Sequence, residues 1–296
     1  MTQPQAHELS PALGAEIVGV DLKIGLDDGT VRFLQEVFDD RGLLLFRDVD
    51  IDRACQFYLS DLLMMGHEPA SEEESHAGAA KQGSFWISNK EPDAAAPFGR
   101  LLFHCDGIWS GEPFEVLSLY AVEVQPPIIP TDFASSAHAW DTLPDDVRGR
   151  VQGLHARHVT GPEYIHERRR QAFEGELSQP QRDHAPSWTM PVVYEHPRTG
   201  RTLLVVTQGM TEGIIELPSD ESEDLLEELF AHAYAPPRVY EHEWRNGDLI
   251  VWDNLAVQHG RRNVSLDGPT RTLRKIGLPI PTSSAAHMVN TYQQVS

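Results

Sequence analysis

The sequence predicts a mainly β fold with flanking helices, arranged as an antiparallel sandwich or open barrel. Three observations lead there. Short apolar or alternating stretches bounded by Gly, Pro and Asp recur along the chain. The helical patterns gather near the N-terminus and after a hairpin, so strands and helices do not alternate as a parallel α/β sheet requires. The 296 residues include 40% hydrophobic and 23% charged side chains, which suits one large core, and no second core-sized unit stands out. A single domain over 1–296 is expected, with lid insertions near 66–100 and 161–187.

The elements follow in order. Residues 14–22 alternate and read as a strand. Asp27 and Asp28 can cap a helix whose apolar positions Val31, Leu34, Val37 and Phe38 keep a 3.6 spacing, and Gly42 stops it. Leu43–Phe46 is a short buried strand. Asp52 opens a second helix carrying Phe57, Leu59, Leu62 and Leu63. Residues 66–83 and 90–100 read as long loops of the kind that form lids, with a strand at 84–88 between them. Strands follow at 101–106, 115–124 and 131–134, then a helix over 136–152 broken at Pro144. Residues 161–187 carry Arg168, Arg169 and Arg170 and read as a solvated helical insert, the alternative being a lid that brings an arginine to a substrate. A hairpin joins strands 188–196 and 201–207 through Pro197-Arg198-Thr199-Gly200. An amphipathic helix over 219–233 turns Leu225, Leu226, Leu229 and Phe230 inward. Strands at 238–244, 247–252 and 270–278 complete the chain.

Charge narrows the function. The chain has 45 Asp plus Glu against 24 Lys plus Arg, a formal net charge of −21. A surface that acidic repels phosphate backbones and anionic lipid, so neither nucleic acid nor a membrane is an expected partner. Two cysteines make no disulfide framework, no secretory leader is visible and no stretch is long enough to span a bilayer, so the expected location is cytoplasmic.

Most of the 14 histidines must be incidental, and His67 and His76 in the acidic loop read as solvated. Two others stand out by their neighbours. His104-Cys105-Asp106 closes an apolar strand before Gly107, and i, i+2 alternation puts the imidazole and the carboxylate on one face with Cys105 on the other. His259 follows the apolar run Val251-Trp252 and precedes Gly260. If the two strands face each other across a jelly-roll mouth, two imidazoles and a carboxylate form the facial triad of a non-haem Fe(II) site. A core histidine bonded to Asp253 would leave a similar trace. Arg271, twelve residues on, sits on what reads as the next strand of a hairpin, and a guanidinium facing that mouth calls for a carboxylate ligand. Trp252 reads as core packing near the site. Asp253 and Asn254 read as residues that fix loop backbone. Arg274 and Lys275 must point to opposite faces.

On these residues the chain resembles the taurine dioxygenase / 2,4-dichlorophenoxyacetate dioxygenase (TauD/TfdA) family of Fe(II)- and 2-oxoglutarate-dependent enzymes. The resemblance runs from Leu13–Leu22 through Gly42–Arg47, Phe103–Asp106 and His196–Gly200 to Gly247–Asn254 and Gln258-His259. It implies a double-stranded β-helix (jelly roll) of the clavaminate synthase-like kind. It also implies a dioxygenase that hydroxylates or desaturates an unactivated C–H bond of a small carboxylate-bearing substrate, releasing succinate and CO2. His104, Asp106 and His259 match the family's iron ligands. Arg271 and Thr131 match the residues that hold the distal carboxylate of 2-oxoglutarate. Lys275 and Arg100 fall where relatives contact substrate. The retained carboxylate at Asp106 favours hydroxylation over halogenation. Departures from the family pattern are Ile128-Ile129-Pro130 before Thr131, Lys275 in place of an arginine and Arg100 in place of an asparagine. A homo-oligomer, dimer or tetramer, is implied as well. The rival reading is a non-catalytic, metal-dependent small-molecule binding jelly-roll protein. A metal-dependent hydrolase would need a second carboxylate beside the triad, and the sequence offers none.

Overall fold

The computed structural model describes residues 3–23, 25–64, 84–171 and 186–279. Sixteen strands are found among them. The larger sheet holds β1 (Gln5–Glu8), β2 (Ala15–Val18), β3 (Leu43–Phe46), β4 (Ser84–Ser88), β6 (Val116–Val124), β14 (Leu249–Asp253) and β16 (Arg271–Leu278), in the spatial order β1-β2-β3-β14-β6-β16-β4. The smaller sheet orders β13 (Val239–His242), β7 (Thr131–Ser135), β15 (Val257–Val264) and β5 (Gly99–His104). Every pairing in these two sheets is antiparallel except β2 with β3. Leu117, Leu119, Ile250 and Trp252 of the larger sheet form one buried cluster with Phe133 and Val257 of the smaller. Two facing, largely antiparallel sheets with a shared core form a β-sandwich, the architecture of jelly rolls.

A third sheet, of β8 (His155–Val159), β9 (Ser187–Pro191) and β12 (Thr211–Ile214), lies beside the hairpin β10 (Val193–Glu195) and β11 (Thr202–Leu204). Expected strand 188–196 is therefore two strands: the chain breaks at the buried Val192 and changes sheets. Expected strand 14–22 shortens to β2. The short β1, β8 and β12 have no prediction to match.

The helices are α1 (Asp28–Arg41), α2 (Arg53–Asp61), α3 (Ser136–Asp141), α4 (Asp145–Val151), α5 (Glu167–Gln171) and α6 (Ser219–Ala233). Helix α1 starts as expected: the Asp27 carboxylate accepts from the Thr30 amide. It ends at Gly42, left-handed at φ 69°, where a Cβ would come within 2.9 Å of the Val257 side chain. Pro144 separates α3 from α4. Leu225, Leu226, Leu229 and Phe230 of α6 are buried.

The expected lids fall only partly within the described residues. Residues 65–83 and 172–185 lie outside them. Residues 84–88 are not an insertion but a strand of the larger sheet. Residues 161–171 include α5, which is anchored rather than solvated: Arg169 is buried and bonded to Glu223 on α6.

Candidate active site

Strand β5 ends on His104, and Asp106 lies in the turn beyond it, shaped by Gly107 at φ 75°. His259 comes from the interior of β15, not from the end of the strand that carries Trp252 as the sequence suggested. β15 pairs with β5 so that His259 and His104 are cross-strand partners, their ring centroids 4.2 Å apart. Gly260 makes that approach possible, since a Cβ there would meet the Leu101 carbonyl oxygen at 3.0 Å. Asp106 Oδ1 lies 3.6 Å from His104 Nε2, and Oδ2 lies 3.7 Å from His259 Nε2.

The chemistry of these donors fits a divalent first-row metal. The three side chains each offer one ligand atom, all within 4.8 Å of one another. His104 Nδ1 sits 2.8 Å from the Leu102 carbonyl oxygen. Only a protonated nitrogen can make that bond, so the Nε2 lone pair faces the triad. Burial lowers both histidine pKa values, and lowers that of His259 far, which keeps the imidazoles neutral as ligands must be. Burial pushes the Asp106 carboxyl up, but Lys275 and the two imidazoles outweigh it and hold it well below the usual carboxylate range. Lys275 forms a buried ion pair with Asp106 Oδ2. Two imidazoles with one carboxylate suit Fe(II) and leave positions for other ligands.

Asn254 locks this geometry. Its side-chain Oδ1 accepts from the Asp106 amide at 3.0 Å, and its Nδ2 donates to the carbonyls of Asp106 and Phe114 at 2.9 and 2.8 Å. The turn between β14 and β15 thereby grips the backbone of a candidate ligand 148 residues away. Trp252, fully buried, packs edge-on to the His259 ring at 4.9 Å.

Beyond the triad lies a cavity walled by Phe85, Ile87, Leu101, Trp109, Phe114 and Leu119. Arg271, Thr131, Arg261 and Lys275 also line it. Arg271 does not reach it by a hairpin from β15. β16 crosses to the larger sheet, between β6 and β4, and brings Arg271 in from the opposite wall. Its Nη2 donates to Thr131 Oγ1 at 2.9 Å and its Nε to the Ile129 carbonyl at 3.3 Å, while the buried Nη1 has no partner. Thr131 Oγ1 also accepts from Trp244 Nε1 at 2.9 Å. With both lone pairs used, the Thr131 hydroxyl can only donate. An unpartnered guanidinium N–H beside an obligate O–H donor is a receptor for a carboxylate.

Other candidates fall elsewhere. Arg100 does not line the cavity; its charge is felt by Asp132. The register slip in β5 explains this: simple alternation would put Arg100 on the face of His104, but between His104 and Leu101 the pairing with β15 shifts and Leu101 takes the inward position. Arg274 points away from Lys275, as expected, bonding to Gln56 Oε1 at 2.7 Å and lying over the Tyr120 ring. Cys105 packs into the core with Ile108, Met190 and Leu203, and burial raises its thiol pKa well above the ordinary value. Asp253 caps the amides of Leu255 and Ala256, both at 3.0 Å, and pairs with His196 and Arg198 of the β10–β11 turn. Arg261 was not a candidate from sequence, although i, i+2 spacing from His259 marks it as inward-facing.

Comparisons with known proteins bear on the family and the fold. The profile of the "Taurine catabolism dioxygenase TauD, TfdA family" matches residues 5–276. The alpha-ketoglutarate-dependent 2,4-dichlorophenoxyacetate dioxygenase of Cupriavidus pinatubonensis is 28% identical over 270 residues, 87% of this chain and 92% of that enzyme. The (S)-phenoxypropionate/alpha-ketoglutarate-dioxygenase of Sphingobium herbicidovorans is 30% identical over 85% of this chain and 86% of its own length. Among solved structures, that of AAD-2 in complex with Mn(II) and N-oxalylglycine superposes with a TM-score of 0.72 at 23% identity, covering 95% of this chain and 99% of that one.

Proposed function

The chain belongs to the TauD/TfdA family of dioxygenases, and from that premise we propose which residues do its work and on what. It is an Fe(II)- and 2-oxoglutarate-dependent dioxygenase, an oxidoreductase. In our reading His104, Asp106 and His259 hold the iron, Arg271 and Thr131 bind the distal carboxylate of 2-oxoglutarate, and Lys275 takes an acidic group of the primary substrate. The observation that carries this reading is the convergence of three buried donor atoms on one wall of a cavity whose far wall presents Arg271 with one buried guanidinium nitrogen unpartnered.

The bound iron, 2-oxoglutarate and dioxygen supply the oxidant that attacks an unactivated C–H bond, with succinate and CO2 as co-products. The chain's own residues do the positioning. Arg271 and the Thr131 hydroxyl fix one end of the co-substrate. Asn254 and the Leu102 carbonyl keep Asp106 and His104 oriented before any ligand arrives. The aromatic and aliphatic walls exclude water. With the Asp106 carboxylate committed to a metal, Lys275 would be the side chain left to take the substrate acid. No general base is required, and among the described lining residues Asp106 is the one carboxylate. The substrates of the phenoxyalkanoate-acting relatives and the cationic far wall support a carboxylate-bearing organic molecule with an apolar body. None of the described helices is long and apolar enough to cross a membrane.

The test is oxygen uptake and succinate release with Fe(II), 2-oxoglutarate and a panel of aryl and alkyl carboxylates. We expect substrate-stimulated succinate from the wild type and at least a hundredfold less from Asp106→Ala. Ligand binding without oxygen uptake across the panel would return the chain to the non-catalytic binder. Undiminished turnover in Asp106→Ala would remove that residue from the metal.

A further inference from the structure

Charge in the cavity exceeds what one acidic substrate group can balance. Among the described lining residues Arg261, Arg271 and Lys275 are cationic, against Asp106 alone. All four are at most 7% exposed. Arg261 shares the inward face of β15 with His259 and sits in register with Thr131 on β7. Its Nη2 donates to the carbonyls of Ala96 and Phe98 at 2.6 and 3.0 Å, and its buried Nε has no partner. No carboxylate among the described residues pairs with it. A guanidinium keeps its charge at neutral pH.

The balance rests on the site reading above. Asp106 and the chelating carboxylate of 2-oxoglutarate neutralise a ferrous ion, and the distal carboxylate neutralises Arg271. Lys275, freed from Asp106, and Arg261 remain. Two desolvated cations without counter-charges are strongly unfavourable. We propose that the primary substrate is a dianion, a small organic molecule with two carboxylate-type groups and an apolar body, one group held by Lys275 and the other by Arg261. Lys275 projects from the larger sheet and Arg261 from the smaller, so the two acidic groups belong at separate ends of the molecule.

The test is calorimetric binding to the protein loaded with Mn(II) and N-oxalylglycine, a state that does not turn over. The probes are matched pairs: adipate and hexanoate, suberate and octanoate, 4-carboxyphenylacetate and phenylacetate. We expect the dianion of at least one pair to bind at least tenfold more tightly than its monoanion. Arg261→Gln should abolish that preference and Arg261→Lys should retain it, while N-oxalylglycine affinity stays within threefold in both. That affinity also reports that the variants are folded. Absence of a dianion preference in every pair, or its survival in Arg261→Gln, overturns the proposal. A tenfold loss of N-oxalylglycine affinity in Arg261→Gln also overturns it, by assigning Arg261 to the co-substrate. Failure of the wild type to take up N-oxalylglycine would instead overturn the site reading.

Discussion

Buried arginines occur in two regions of this molecule, and they are held in opposite ways. Beneath α6, Arg169 donates to the Glu223 carboxylate at 2.7 Å and to the carbonyls of Gln208, Thr211 and Glu212, with its guanidinium over the Phe230 ring. In the cavity, Arg271 and Arg261 are buried as deeply, yet neither has a carboxylate among the described residues, and each keeps an N–H without a partner. Burial lowers the pKa of Arg271 to about 9, with Arg261 adding repulsion. A buried cation closed by its own chain is an anchor. One left open is a receptor, and the protein bears the desolvation cost until a ligand offsets it. The same contrast explains why the only tri-arginine run, the most conspicuous basic feature in the sequence, is anchored to α6, whereas the single arginines at 261 and 271 line the cavity.

Substitution in each region should separate the two roles. Glu223→Ala strips Arg169 of its counter-charge and should lower unfolding stability by about 3–5 kcal/mol in urea denaturation, with little change in the affinity of the folded protein for N-oxalylglycine. Arg271→Met should do the reverse. Stability should stay within about 1 kcal/mol of wild type, because an uncompensated cation has been removed. Affinity for N-oxalylglycine in the presence of Mn(II) should fall by roughly 2–5 kcal/mol, measured by calorimetry. If Arg271→Met destabilises as much as Glu223→Ala while ligand affinity holds, Arg271 is an anchor too and the contrast disappears.

The sequence carried the metal end of the site more fully than the anion end. His104 and Asp106 announce themselves through an apolar strand that stops at a glycine, and α1 and α6 through capping and a 3.6 period. Those signals are local. Arg271 shows the limit: it lines the cavity as expected but from a different strand, because the spacing from His259 to Arg271 does not reveal that the chain leaves one sheet for the other between them. Asn254 illustrates the same limit, because its hold on the Asp106 backbone is a contact across 148 residues. Arg261 was within reach of strand alternation once His259 was placed inside a strand rather than at its end. Arg100 failed for the complementary reason, since a match to relatives fixed its position in the sequence but not the face of β5 it occupies.

A smaller effect sharpens the description of the closed region. His158 on β8 is fully buried and pairs through Nδ1 with Thr211 Oγ1 at 3.2 Å, while Nε2 has no partner. The Thr211 carbonyl in turn receives Arg169. Burial lowers the His158 pKa from 6.5 to about 3, so the native state holds the imidazole neutral where the unfolded chain would protonate it. The stability this contributes is complete above pH 6.5 and is lost as pH falls towards 3, because protons bind the unfolded chain preferentially. Between pH 7 and pH 5 the loss attributable to this residue is about 2 kcal/mol, from 1.36 kcal/mol per pH unit below 6.5. Other buried histidines titrate in the same window, so the informative quantity is a difference between proteins. His158→Gln has no titrating ring but can keep a hydrogen bond to Thr211. Its stability should therefore decline less than that of the wild type over this interval, by about 2 kcal/mol. Parallel stability curves would mean that His158 accepts its proton without cost, and that the region under α6 is less tightly closed than the pairing of Arg169 with Glu223 indicates.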